Sequence, residues 1–290
     1  MRQIRFLQAW MPREEAIATS LGRGQLPTDD VAQYATRWEA ARQAVQARTP
    51  FDLAVPQLED LPPNLTERVQ AFRQRPDVLA AFQGLDWTLG VADLERVLSF
   101  QKIVVEDHAI DRVAGVEADD IQSLFSVCLP DPAAPASLEC SVDADHKGLT
   151  FFSSNPNLRF GGHAIQQAEI PGGPGQPTQT LNLAGFIINL GLPFIQIAEL
   201  NNRWFVRDGY HRCYGFLRRG IRRIPCAFIR ARSFDELGAN QLAFLRQELL
   251  FGERPPFLRD FLDDGVSASA QHRDIRKIVR ISAQEFLIQL

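Results

Sequence analysis

The 290 residues suffice for one large or two modest domains, and 45% hydrophobic with 23% charged residues is ordinary globular usage that excludes a disordered, collagen-like or coiled-coil chain. A net charge of −4, from 31 basic and 35 acidic residues, excludes a generally basic nucleic-acid coat. No apolar run approaches the ~20 residues of a membrane-spanning helix, secretion is not expected from MRQIRFLQAWMP followed by a charged stretch, and four cysteines without a Cys-x-x-Cys pair imply neither a disulfide framework nor zinc, which makes a reducing cytoplasm the expectation.

The N-terminal region, residues 1–92, reads as mainly helical. Thr28, before Asp29 and Asp30, is the expected N-cap of a helix whose apolar face is Val31, Tyr34, Ala35, Trp38, Ala41 and Val45. Thr49-Pro50 ends it. Leu65, Val69 and Phe72 mark a second helix, and a third starts at Pro76 and stops near Gly84. Trp10, Trp38 and Trp87 read as packing residues.

Residues 93–290 form the second expected region. Asp93 to Phe100 reads as a short helix, Lys102 to Val105 as a strand and Ala118 to Leu124 as another short helix. Phe125–Leu129, Leu138–Val142 and Thr150–Ser153 are β-prone runs. The PGGPGQP segment at 171–177 is an expected loop, tip or lid. Leu181 to Leu190 is apolar enough for a buried helix. Phe194–Ala198 and Arg203–Val206 read as a hairpin about Asn201-Asn202. Tyr210 to Arg219 is a helix stopped by Gly220, and a last strand runs Cys226–Ile229 after Ile224-Pro225. Beyond residue 232 a helix near Phe234–Leu250 and a short helix after Pro255-Pro256 are expected. That leaves little room for a DNA-binding domain.

Charge is concentrated rather than spread. Between Arg203 and Arg232 nine arginines meet one acid, Asp208, which leaves 22 basic and 34 acidic residues elsewhere. Such a block suits a phosphate-bearing ligand, or else it is an arginine-rich face paired with acids of the same fold. Within it, Asp208-Gly209-Tyr210-His211-Arg212 joins a strand to a helix. A glycine there permits a tight turn and close approach of a ligand. The helix N-terminus attracts an anion, Arg212 offers a bidentate fork, and His211 titrates near neutral pH. Asp208 caps the helix, holds a cation or acts as a base. The plainer alternative is a structural turn.

The segment FIQIAELNNRWFVRDGYHRCYGFLRRGIRRIPCAFI resembles the signature of the ParB/sulfiredoxin superfamily, with Gly209, His211, Arg212, Gly220 and Pro225 at its pattern positions. The resemblance covers residues 181–230 and implies an α/β (α+β) domain, here with the N-terminal helices packed on it, that binds a nucleotide such as ATP or CTP with Mg²⁺ at this turn. Sulfiredoxins carry Cys directly before His-Arg; Tyr210 stands there, so cysteine repair is not implied. Partition ParB proteins carry Glu-Arg-Arg. Free-serine kinases of the superfamily, with Asp-Gly-His-His-Arg, are the nearest in motif and need an upstream acidic base, for which Glu106 and Asp107 are candidates.

The resemblance therefore implies phosphate or nucleotide binding by Gly209, Tyr210, His211 and Arg212, with Asp208 and His211 as catalytic candidates for phosphotransfer or NTP hydrolysis. The alternative is a non-catalytic module that grips nucleic acid or a protein partner through Arg218, Arg219, Arg222 and Arg223. No membrane partner and no resident metal site are expected. Weaker candidates are His108 in EDHAID, the Gly161-Gly162-His163 turn, Ser153-Ser154, Cys140 with His146, and the basic tail of Arg273, Arg276, Lys277 and Arg280.

Overall fold

The computed structural model describes residues 1–22, 31–52, 57–131, 138–153, 158–170, 179–189, 194–238, 244–273 and 277–288. The expected cap at Thr28 and the PGGPGQP segment lie outside them. The fold is α+β, and it divides into two compact units: 1–131 with 193–274, and 132–192 with 275–290. The boundary expected between residues 92 and 93 falls inside a strand.

In chain order the first unit contains β1 (Arg2–Phe6), α1 (Arg13–Leu21), α2 (Val31–Gln46), α3 (Thr66–Gln74), α4 (Pro76–Ala81), β2 (Trp87–Asp93), β3 (Leu98–Ser99), β4 (Ile103–Val105), α5 (Glu106–Asp111) and α6 (Ile121–Cys128). The second unit supplies β5 (Glu139–Val142), β6 (Gly148–Ser153), β7 (Arg159–Ile170) and β8 (Gln179–Asn189). The first unit resumes with β9 (Gln196–Leu200), β10 (Arg203–Asp208), α7 (Tyr210–Arg218), β11 (Arg223–Arg230), α8 (Gln247–Leu250) and β12 (Ala268–His272). β13 (Lys277–Ser282) belongs to the second.

A five-stranded sheet of order β2-β11-β9-β10-β3 organises the first unit. The β9–β10 hairpin turns on Asn201 and Asn202, both left-handed at φ 53 and 60, which is the geometry that matches strand twist across a two-residue turn. β10 feeds α7 through Gly209, and β11 returns parallel to β9. One core joins this sheet to the N-terminal helices: Trp10, Ala41, Leu65 and Phe72 pack in the same cluster as Ile197, Phe205, Phe216 and Phe228. On α2 the expected face is realised at Ala35, Ala41 and Val45, while Val31 is exposed. A second sheet, β12-β1-β4, pairs the N-terminal strand with residues 268–272.

Four local expectations are corrected. Leu181–Leu190 is not a buried helix but the exposed strand β8, paired antiparallel with β7. Its apolar residues recur with period two at Leu181, Leu183 and Ile187, the alternation of a strand rather than of a helix. Phe125–Leu129 is the end of α6, because Asp120 caps that helix by accepting from the Gln122 and Ser123 amides at 3.0 and 3.1 Å. Asp93–Phe100 is a single 3-10 turn (Leu94–Arg96) between strands. The helix near Phe234–Leu250 shortens, among the described residues, to α8.

The second unit holds the antiparallel sheet β13-β6-β5 and the two-stranded ribbon β7-β8. No helix among the described residues is long and apolar enough to cross a membrane.

The contact that sets the first unit's helical layer is α5 against α7. A Cβ at Gly215 would collide with the Ala109 carbonyl and lie 2.9 Å from Val113 Cγ2. Gly215→Ala should therefore push the helices apart and lower stability by about 1–3 kcal/mol, read as a drop in the urea midpoint at unchanged slope.

Candidate functional site

The turn between β10 and α7 is built as its sequence implies, but its glycine approaches the protein itself. Gly209 is left-handed, φ 84, and occupies the N-cap position. A Cβ there would lie 2.8 Å from Ile195 Cγ1 and 3.2 Å from Arg212 Nη2. Both the dihedral and the packing demand glycine. Asp208 is buried, and its Oδ1 accepts the Gly209 amide at 2.7 Å. It thus braces the turn, and the N-cap position itself is Gly209.

Arg212 is 5% exposed and turns inward. Its Nη1 donates to the Val127 carbonyl at 2.7 Å, in the last turn of α6, where the helix dipole favours a cation. Burial lowers its affinity for a proton, while Asp208 and the thiols of Cys128 and Cys213 oppose that change. The guanidinium therefore ties the turn to α6.

His211 follows a different direction. Its ring lies between Tyr210, at 4.7 Å, and His108 of α5, at 5.3 Å and nearly perpendicular. Its Nε2 is buried and has no hydrogen-bond partner among the described residues. Burial, then the neighbouring His108, Arg112 and Arg212, push its pKa down to about 3. His108 is lowered as well, by burial and by Arg112 and Arg2, against Asp111. Arg112 is lowered by burial and by Arg212. Basic groups from β1, α5 and α7 thus crowd the start of α7, and each resists the charge of the next. His108 and Arg112 share one helix face four residues apart. The EDHAID segment that holds the weaker candidate His108 is helix α5 rather than a loop, and no group of three metal-ligating side chains occurs among the described residues.

The two upstream carboxylates are both engaged. Glu106 is buried and accepts the Tyr214 hydroxyl at 2.7 Å, with Arg218 Nε at 3.3 Å. Burial, then Glu106, raises the Tyr214 pKa. Asp107 accepts the Gln3 amide at 2.9 Å.

The nine arginines of 203–232 all have partners within the chain. Arg203 donates to the Leu250 and Gly252 carbonyls, and Arg207 to the Glu236 carbonyl. Arg212 and Arg218 bond Val127 and Glu106 as described. Arg219 donates to the Val113 carbonyl. Arg222 pairs with Asp93 at 3.3 Å and Glu95 at 2.6 Å, Arg223 with Glu59, Arg230 with Asp86 at 3.8 Å and Arg232 with Glu236 at 2.7 Å. Such surface pairs add little stability, but they set an acid beside most of the exposed cations.

The remaining candidates are scattered. Cys140 is exposed on β5, while His146 sits in the following turn with φ 56. Gly162 forms a bulge in β7 with φ 127. Cys213 is buried, and burial pushes its thiol up to about 12, which makes it unreactive. No family model, curated protein or solved structure matches this chain.

The histidine environment has a measurable consequence. The unfolded chain binds a proton at His211 near pH 6.5, whereas the folded chain does so only near pH 3. The stability from neutral His211 is therefore full above about pH 6.5 and lost as pH falls toward 3. Between pH 7 and 5 the loss from this residue should be about 1–2 kcal/mol, and His211→Gln should flatten that part of the pH profile in urea titrations.

Proposed function

We propose that this chain is a cytoplasmic, ParB/sulfiredoxin-like protein that binds the phosphate of a nucleotide, ATP or CTP, where α5 meets the start of α7. The observation that carries the reading is the buried, unpartnered Nε2 of His211 among His108, Arg112 and Arg212. A buried nitrogen without a partner costs about 1–3 kcal/mol, and clustered cations repel one another. A phosphate oxygen answers both: it accepts from Nε2, and its charge offsets the repulsion. The dipole of α7 adds to that attraction.

His211 would receive the phosphate and, once the anion restores its basicity, hold a proton on it. Arg112 and His108 would complete the charge, while Gly209 and Arg212 fix the turn and Tyr210 flanks the imidazole. Mg²⁺ would arrive with the nucleotide, because the turn itself offers a single carboxylate, Asp208, and magnesium sites of this kind draw most of their ligands from phosphates and water. Phosphotransfer or NTP hydrolysis would further require Asp208 to leave the Gly209 amide for the metal or the acceptor. The reading accordingly centres on binding. The alternative of a nucleic-acid or partner-binding face through Arg218, Arg219, Arg222 and Arg223 has less support, since each of the four is already bonded within the chain.

Thermal unfolding with inorganic phosphate, ATP, ADP, CTP and GTP, each with and without Mg²⁺, tests the proposal. A ligand at 100 times its Kd should stabilise the protein by about 2.7 kcal/mol. That gain should vanish in Arg112→Gln and His211→Gln and persist in Arg222→Gln. Absence of a shift with every one of these anions would overturn the reading. Release of inorganic phosphate, followed in parallel, would extend it from binding to turnover.

A further inference from the structure

The arginines of 203–232 meet acids or carbonyls of the fold, but the basic groups that α5 brings to His211 do not. Neither the His108 ring nor the Arg112 guanidinium makes a hydrogen bond or ion pair with a described residue, and His211 Nε2 is buried without a partner. Three donor side chains on two helices thus converge. The two rings are 5.3 Å apart, and Arg112 bears on both of them.

The number of donors and the local charge together specify the anion. Three donors call for three acceptor oxygens, which a terminal phosphate or a sulfate offers; a phosphodiester or a carboxylate has only two. The groups that face His211 are His108 and Arg112 of α5 and Tyr210 and Arg212 of α7. Behind them, Arg2 of β1 and Asp111 of α5 act on His108 with opposite sign, while Asp208 and the thiols of Cys128 and Cys213 act on Arg212. With Arg212 offset by Asp208 and both imidazoles neutral near pH 7, the fixed charge that is left is that of Arg112. A monoanion would balance it. A dianion leaves one negative charge in a buried setting, which is costly, and a single proton on an imidazole removes that cost. Two charged rings this close repel each other, so the proton goes to one of them. His211 is the deeper ring, where opposite charges attract most strongly.

We propose that the site selects a dianionic tetrahedral oxyanion, a terminal phosphate rather than a diester, and takes it up together with one solvent proton that His211 then holds. The inference rests on the phosphate reading of this site and adds its ligand class and its regulation. Linkage is reciprocal: an anion that draws a proton onto His211 is itself bound more tightly as pH falls. Occupancy of the site is thereby set by pH as well as by ligand concentration.

Calorimetric titration of the full chain with sulfate tests this, because sulfate stays a dianion where phosphate itself titrates. At fixed ionic strength, affinity should fall about tenfold between about pH 5.5 and 6.5, the slope of one linked proton. Buffers of different ionisation enthalpy should report about one proton taken up per sulfate. The His211 ring nitrogens should show imidazolium shifts by NMR only when sulfate is present. Dimethyl phosphate and acetate should bind about tenfold more weakly, for want of a third acceptor, and take up no proton. His211→Gln should abolish the uptake, whereas His108→Gln should keep it; the wild-type readouts stand whether or not these variants fold. Sulfate or phosphate that binds without proton uptake overturns this inference and leaves the phosphate reading intact, as does uptake that persists in a folded His211→Gln. Failure of sulfate, phosphate and ATP alike to bind overturns both. With uptake established, tighter binding of ATP than of inorganic phosphate assigns the oxyanion to a nucleotide, and equal binding assigns it to the free anion.

Discussion

The close contact between α5 and α7 is the constraint on which the candidate site depends. Gly215 has no side chain to hold the helices apart, so the Ala109 backbone and Val113 come directly against it. This contact, with the Tyr214–Glu106 bond a turn away, delivers His108 and Arg112 to the ring of His211. The crowding of basic groups is therefore a product of backbone packing. The helices cannot separate to relieve it without opening the core that holds Tyr214 and Phe216. In such a setting a histidine stays neutral because of where it is held, and its charge state becomes available to whatever enters beside it.

Two residues of one motif divide the work in a way that residue type alone does not suggest. Arg212 and His211 are neighbours on α7, and both could address an anion. Arg212 is spent on the end of α6, where it secures the turn together with Gly209 against Ile195. His211 faces α5. The arginine thus contributes through geometry and the histidine through its unsatisfied nitrogen. The same distinction runs through the basic block: Arg203 and Arg219 hold carbonyls, while Arg222, Arg223 and Arg232 face acids.

Legibility in the sequence followed the range of the determining interactions. From residue 194 to 230 the hairpin, the αL glycine, the helix and its Gly220 stop are all local, and each was readable from turn residues and periodicity. The partners of His211 were not. His108 and Arg112 lie about a hundred residues upstream, and only helix packing joins them to the motif. α5 itself is too short for a period to show. β8 misled for a different reason: its apolar content outweighed its alternation, although the strand that pairs with it, β7, is its immediate neighbour in the chain. The charge block revealed its composition but not its partners, because Glu59, Asp86, Asp93 and Glu95 come from elements that precede it.

The pairing of the terminal strands bears on the order in which this chain can fold as it is synthesised. β1 leaves one edge open until β12 is made, and β6 lacks one neighbour until β13 is made. The sheet that carries the candidate site closes earlier, once β11 has emerged between β2 and β9. A ribosome-bound intermediate would thus hold a finished central sheet while exposing two unpaired strand edges. Those edges are the places where a nascent chain is most open to mispairing with a neighbour, and the arrival of β12 and β13 ends that exposure.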